Sequence, residues 1–335
     1  LTLSLYQISL PGLHYDEAKE AGVNAMQLLQ SQPVTAFRGA VLRIGSLQLP
    51  LMVQDYIGAL NVYLAIPFLA LGGINVPALR LLPILTSALT LVLVYVFARE
   101  MMGQITAAVV AMLLAINPSF VFWSREGIFV TNITATLAVG SLLALRHWYC
   151  SRRSGWFYLT AFLWGLGLWA KLLFIWVIGA TVGIGLLWWA SNSWSQMSDR
   201  LPLRLGVSWK QALLAGASFL AGLWPLILFN LRTSGTLIAI FHNLGRSYYG
   251  VDNQAFGANL VMRLQQLRVL LRGDHFWYLG GVYANRFAPW ITLALVVGGV
   301  LACLRKRSQP EAGRSLGALG WLLLFVALLI LQSCF

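Results

Sequence analysis

Charge is what this sequence has least of. Only 10% of its 335 residues are Asp, Glu, Lys or Arg, against about 25% in soluble domains. Together with 59% hydrophobic residues and a mean hydropathy of +0.75, that scarcity excludes an ordinary water-soluble domain and indicates a multi-pass membrane protein. Acidic residues are the scarcest: ten against 23 basic, for a net charge of +13. In a nucleic-acid binder that excess would form a basic face. Here many of the Lys and Arg residues fall in short connections between apolar runs, where they act as topology signals. Cysteine is also sparse. Cys150, Cys303 and Cys334 are scattered, which excludes a metal-spaced cluster and leaves them as plain membrane-helix residues. The chain opens at Leu1 and stops at Phe335, both inside apolar runs, so it reads as a fragment lacking most of a first span.

What is present is a succession of apolar runs. Residues 1–10 read as the end of that truncated first span, and 11–76 as an outer loop with interfacial helices and an acidic motif. Residues 77–232 form the core membrane bundle, 233–287 a second outer loop, and 288–335 further spans. The candidate segments are 57–72, 77–98, 105–123, 131–145, 156–170, 172–190, 211–231, 288–304 and 316–334. A span needs about 20 apolar residues to cross a core ~30 Å thick. If 77–98 and every later segment crosses once, four basic clusters share one side. They are Arg99; Arg146, Arg152 and Arg153; Arg200, Arg204 and Lys210; and Arg305, Lys306 and Arg307. That side should be the cytoplasm. Residues 11–76, 124–130 and 233–287 then face outward, provided 57–72 does not cross. This shortest segment holds Asn61 and Pro67 and is read as a helix lying in or dipping into the outer interface. The expected fold is all-α, a polytopic membrane helix bundle with eight full spans after the truncated one.

The stretch Leu10–Gln30 carries a carboxylate pair, Asp16 and Glu17, ahead of Ala18, Ala21, Gly22, Met26 and Leu29 at helical spacing. Acidic residues favour the first turn of a helix because the free amides there attract negative charge. Helix capping and catalysis are therefore both open for this pair. On the same expected face stand Arg80, Arg125, Lys171 and Arg232 at or near helix ends. Each alone is explained as a snorkelling anchor. Together with Asp16 and Glu17 they make an outward cleft holding both a base and cations, which suits a substrate with a phosphate leaving group. In the second outer loop Phe256, Leu260, Leu264, Leu267 and Leu271 recur at helical spacing among Arg263, Arg268 and Arg272. Such a basic amphipathic helix lies on an anionic membrane surface, or serves as a lid over a lipid phosphate. His242, Tyr248 and Tyr249 are further polar groups there.

Three sets of residues resemble a known family. They are Tyr15-Asp16-Glu17-Ala18; the run Tyr56-Ile57-Gly58-Ala59-Leu60, Tyr63-Leu64, Pro67-Phe68, Gly72-Gly73 and Ala78-Leu79-Arg80-Leu81; and Asn117-Pro118 with Ser124-Arg125, then Gly165-Leu166-Gly167 with Ala170-Lys171. Their order resembles the GT-C class of lipid-linked-sugar glycosyltransferases, of the family 39 and aminoarabinose-transferase type that includes dolichyl-phosphate-mannose-protein mannosyltransferases. The resemblance covers about residues 10–190. Where many relatives have His-Pro-Pro or Lys-Pro-Pro, this chain has Leu49-Pro50-Leu51, and Thr131-Asn132 stand where relatives often carry an Asp.

The resemblance implies a GT-C-like bundle in a membrane, for a bacterial protein the inner membrane, with its site facing the periplasm or outside. It implies a sugar on a polyprenyl phosphate as donor, an acceptor hydroxyl of unspecified origin and inversion at the anomeric carbon. Asp16 would be the general base, Glu17 an orienting group, and Arg125, Lys171 and Arg80 the cations at the leaving phosphate, with Asp55 and Tyr56 as further candidates. No cofactor is required; if a divalent cation is used, as in some relatives, Asp16, Glu17 and Asp55 could supply oxygen ligands. The rival is a transporter or flippase of a lipid-linked or anionic substrate, which would place ionisable groups near the bilayer midplane.

Overall fold

The computed structural model describes residues 1–10, 12–126, 130–195, 206–245, 250–272, 285–305 and 310–334. Arg200, Arg204, Tyr248, Tyr249, Lys306 and Arg307, all named above, lie outside the described residues. The chain divides into two compact units.

The first unit comprises Leu1–Val94, Leu114–Ile175 and Ser208–Asn243. It opens with a short helix α1 (Thr2–Leu5), then α2 (Tyr15–Glu17), a π-helical turn (Ala18–Gly22) and α3 (Val23–Leu29). Two small antiparallel hairpins follow, β1 (Val41–Ile44) with β2 (Leu47–Pro50) and β3 (Met52–Gln54) with β4 (Ile57–Gly58). In the first, Val41 stands opposite Pro50 and Ile44 opposite Leu47, and Gly45 supplies the positive φ its tight turn needs. These strands were not expected from the sequence, in which this stretch reads only as loop.

Next come α4 (Leu60–Gly72) and α5 (Val76–Met102). The expected segment 105–123 is instead two helices, α6 (Gln104–Ile116) and α7 (Pro118–Glu126), bent by 63°. The cause is local: Pro118 has no amide to donate, and the Asn117 side chain accepts from the Phe120 amide at 3.0 Å to start α7 afresh. Then follow α8 (Thr131–Ser151), α9 (Ser154–Ala170), α10 (Ile175–Ser195), α11 (Trp209–Thr233) and α12 (Gly235–Asn243).

The core of this unit is built where the polar first loop meets the helix ends. Ala21, Ala25, Met52, Ile57, Val62 and Ala65 pack with Leu79 and Leu82 of α5, Ile133 of α8, Trp169 of α9 and Phe229 of α11. Trp169 donates to the Leu51 carbonyl at 2.9 Å, and Tyr63 to the Pro50 carbonyl at 2.5 Å, so both rings bury their apolar faces without stranding a polar atom. Gly58 is needed beneath that tryptophan, since a Cβ there would lie 2.1 Å from the Trp169 carbonyl oxygen. Helices α9 and α11 approach through Gly165 and Gly222, where added Cβ atoms would sit 2.1 Å and 2.5 Å from backbone oxygens of the partner helix. Small residues permitting such contact are the usual device of membrane helix pairs.

The second unit comprises Tyr95–Leu113, Trp176–Val207 and Leu244–Phe335. It contains most of α6 and α10, together with α13 (Phe256–Arg272), α14 (Ala288–Arg305) and α15 (Pro310–Gln332). The expected basic helix is present as α13, and its Asn259 and Arg263 donate to the Cys334 and Ser333 carbonyls at 3.0 and 2.9 Å, closing the end of α15.

Among the described residues three helices are long and apolar enough to span a membrane, Val76–Met102, Leu172–Ala190 and Trp209–Thr233. The bent pair makes up to four. Of the eight expected full spans, 77–98, 172–190 and 211–231 meet that length and apolarity, and 105–123 does so as the bent pair. The segments 288–304 and 316–334 fall on shorter described helices, Ala288–Gly299 and Gly317–Gln332; Leu60–Gly72, expected not to cross, is shorter as well. The apolar helices make the chain an integral membrane protein, all-α apart from the hairpins.

Candidate active site

The site is built on the helical run from α2 to α3. His14 starts it, its Nδ1 accepting from the Asp16 amide at 3.1 Å. A nitrogen that accepts carries no proton, so its 3.5 Å approach to Asp16 Oδ2 is not an ion pair in this arrangement. The π turn then widens the helix, with Gly22 placed so that a Cβ would meet Leu79 at 3.3 Å. Glu17, Glu20, Ala21, Asn24 and Ala25 form its buried stripe. Two carboxyl groups thus lie on a face that would ordinarily be apolar.

The adjacent carboxylates Asp16 and Glu17 separate completely. Glu17 points inward and is clamped by Arg80 of α5, with Nη2 to Oε1 at 2.9 Å and Nε to Oε2 at 3.2 Å. Arg80 is 1% exposed and reaches Glu126 at the end of α7 at 2.9 Å as well. Its remaining capacity goes to the carbonyls of Ile8, Leu10 and Gly12 at 2.7, 3.2 and 3.2 Å. A guanidinium fork is suited to such many-sided pairing. Arg125 also grips the start of the chain, donating to the Gln7 and Leu10 carbonyls. The expected phosphate cations Arg80 and Arg125 are thus engaged with the carbonyls of Gln7, Ile8, Leu10 and Gly12. Beside the Glu17–Arg80–Glu126 bridge is a small cavity of about 20 Å³, lined by Asn61, Thr86 and Asn132 together with apolar Leu79, Leu82 and Ile133.

Asp16 keeps a side chain 17% exposed. Near it lie Glu20, one helical turn on, and Lys171 from the joint between α9 and α10. Lys171 is placed by backbone contacts. Its amide donates to the Gly167 carbonyl at 2.9 Å, it bridges Ile57 of β4, and the next amide, Leu172, donates to the Tyr56 carbonyl at 2.9 Å. Burial lowers the Lys171 ammonium from its ordinary value, opposed by Glu20 and Asp16. Burial pushes Glu20 up to about 7; Lys171 counteracts this and the Asp16 charge adds to it. Sequence reasoning missed Glu20 and Glu126. The available signals were the spacing of Glu20 four residues after Asp16 and the position of Glu126 beside Arg125.

Asp55 and Tyr56 stand apart from that cluster as connectors. Arg38 holds Asp55 through two bonds, at 2.7 and 2.9 Å, and Thr236 donates to the Asp55 carbonyl at 2.6 Å. Tyr56 contributes the carbonyl that receives Leu172. With Glu17 on Arg80 and Asp55 on Arg38, the carboxylates suggested for a divalent cation do not converge. Among the described residues no group of three His, Cys, Asp or Glu side chains is placed to hold a metal ion.

Residues 60–208 match the family model described as dolichyl-phosphate-mannose-protein mannosyltransferase. The chain resembles that membrane transferase family. The matched stretch includes Arg80, Arg125 and Lys171; Asp16 and Glu17 precede it. The fold is like that of ArnT from Cupriavidus metallidurans. The crystal structure of ArnT bound to undecaprenyl phosphate superposes with a TM-score of 0.52 at 13% identity, covering 99% of this chain and 58% of that one. The apo structure gives 0.50 at 14% identity, covering 99% and 75%. The chain therefore spans less than two thirds of the lipid-bound ArnT chain. No curated protein sequence matches it.

Proposed function

We propose that the chain is a membrane glycosyltransferase that moves a sugar from a polyprenyl-phosphate donor to an acceptor hydroxyl at the outer face, with inversion. The observation that carries this reading is the parting of the two adjacent carboxylates: Glu17 is sealed by Arg80, while Asp16 stays reachable with Lys171 nearby. In this reading the acceptor oxygen gives its proton to Asp16 and bonds to the anomeric carbon. The bond from that carbon to the phosphate oxygen breaks, and the lipid phosphate leaves with the electron pair. Lys171 stabilises the charge gained by the phosphate. Arg80 and Glu17 hold the helix that presents Asp16, and Arg125 ties down the segment before it. A polyprenyl phosphate as donor lipid is supported by the undecaprenyl phosphate in the ArnT structure and by the dolichyl phosphate named in the family description.

The test is sugar transfer from a polyprenyl-phosphate donor by purified protein in liposomes. Asp16→Asn preserves shape and removes the base, so transfer should fall by ~10²-fold or more with donor binding retained. Near wild-type turnover by this variant removes Asp16 from the mechanism.

A further inference from the structure

Glu20 is the least explained charged group of the first unit. It is 1% exposed, and neither carboxylate oxygen has a well-formed hydrogen bond among the described residues, the Val130 amide being the one weak donor at hand. The groups facing it are Lys171 from the α9–α10 joint, Asp16 and Lys19 from its own helix, and the backbone amide of Val130 at the start of α8. A buried carboxylate so poorly hydrogen-bonded is costly, and a nearby opposite charge offsets most of what the Val130 amide leaves. Lys171 is the buried cation that supplies it, and its backbone is pinned on both sides by the Gly167 and Ile57 contacts. Only its side chain can redirect the charge.

We propose that Glu20 is a positioning residue for the donor phosphate: its carboxylate draws the Lys171 ammonium inward, and Glu20 takes up a proton as Lys171 turns to the incoming lipid phosphate. This rests on the reading in which Lys171 meets that phosphate. The physical reason is charge balance. A second anion arriving at Lys171 repels the Glu20 carboxylate in a medium of low dielectric, which favours the protonated acid. Burial pushes the Glu20 carboxyl up to about 7 in the unliganded chain. If it is protonated in the complex, binding is unaffected below that pH and weakens as pH rises through it, by about tenfold between pH 6 and pH 8.

The experiment measures undecaprenyl phosphate binding to the full chain in nanodiscs at pH 6 and pH 8, for wild type and Glu20→Gln. The lipid's own second ionisation, near pH 6, affects both proteins alike, so the readout is the difference between them. Wild type should lose about tenfold more affinity than Glu20→Gln over this interval, and the variant should bind more tightly at pH 8. Equal pH dependence in two folded proteins overturns the inference. Failure of both to bind at either pH overturns the lipid-phosphate reading beneath it. Should Glu20→Gln not insert, wild-type calorimetry at pH 8 in two buffers of different ionisation enthalpy decides. Uptake of about one proton on binding supports the inference, and no uptake overturns it.

Discussion

Asp16 and Glu17 show how far neighbouring residues of like charge can diverge. Glu17 is tethered by a guanidinium inside the protein while Asp16 stays partly exposed, because successive helical side chains point about 100° apart. Arg80 meets two buried carboxylates, and with its own side chain 1% exposed it has no water to replace them. Removing one partner of a buried ion pair typically costs about 3–5 kcal/mol. Arg80→Met should therefore lower the unfolding temperature in detergent markedly, and Arg80→Lys should recover only part of it because an ammonium cannot fork. An unchanged unfolding temperature in Arg80→Met would show that the bridge is not a brace. Glu17→Gln keeps one good acceptor and should be milder than Asp16→Asn in transfer.

At the scale of elements, the hairpins and α4 do more than connect. Leu51 and Ile57 bracket Trp169 and Lys171, so the first loop fixes where α9 ends and where the lysine stands. The same helix is held from its other side by α11 through Gly165 and Gly222. Gly165→Val places side-chain atoms against the backbone of Phe219, which cannot yield as a flexible side chain would. The helices must separate, at a cost of at least the 1–3 kcal/mol typical of overpacking. A disulfide engineered across α9 and α11 should form readily in the parent and poorly in Gly165→Val. Equal cross-linking would mean the glycine contact does not set the spacing.

At the scale of the whole molecule, orientation in the membrane follows from the distribution of Arg and Lys. The α8–α9 turn carries Arg152 and Arg153, whereas Gly73–Asn75 lies between α4 and α5, the helix whose Arg80 holds Glu17. In a variant freed of Cys150, Cys303 and Cys334, a single cysteine at position 75 should react with an impermeant reagent added from outside. One at position 153 should react only after permeabilisation. The opposite pattern would put Asp16 in the cytoplasm and end the outer-face reading.

By itself the sequence determined that the chain is an integral membrane protein of helices, since apolar content and the length of apolar runs are properties of composition alone. It also marked Tyr15-Asp16-Glu17 and Lys171, because ionisable groups are conspicuous in so uncharged a chain. It did not disclose the break at Asn117-Pro118 as an angle of 63° or the hairpins of residues 41–58, which short-range pattern identifies poorly. Nor could it separate the cations. Arg80, Arg125 and Lys171 are equivalent as letters near helix ends, and only the packed structure turns the first two onto carbonyls and carboxylates of the same unit. Which partners each of these charges finds depends on groups up to 118 residues away in sequence, a relation created by folding and absent from any local pattern.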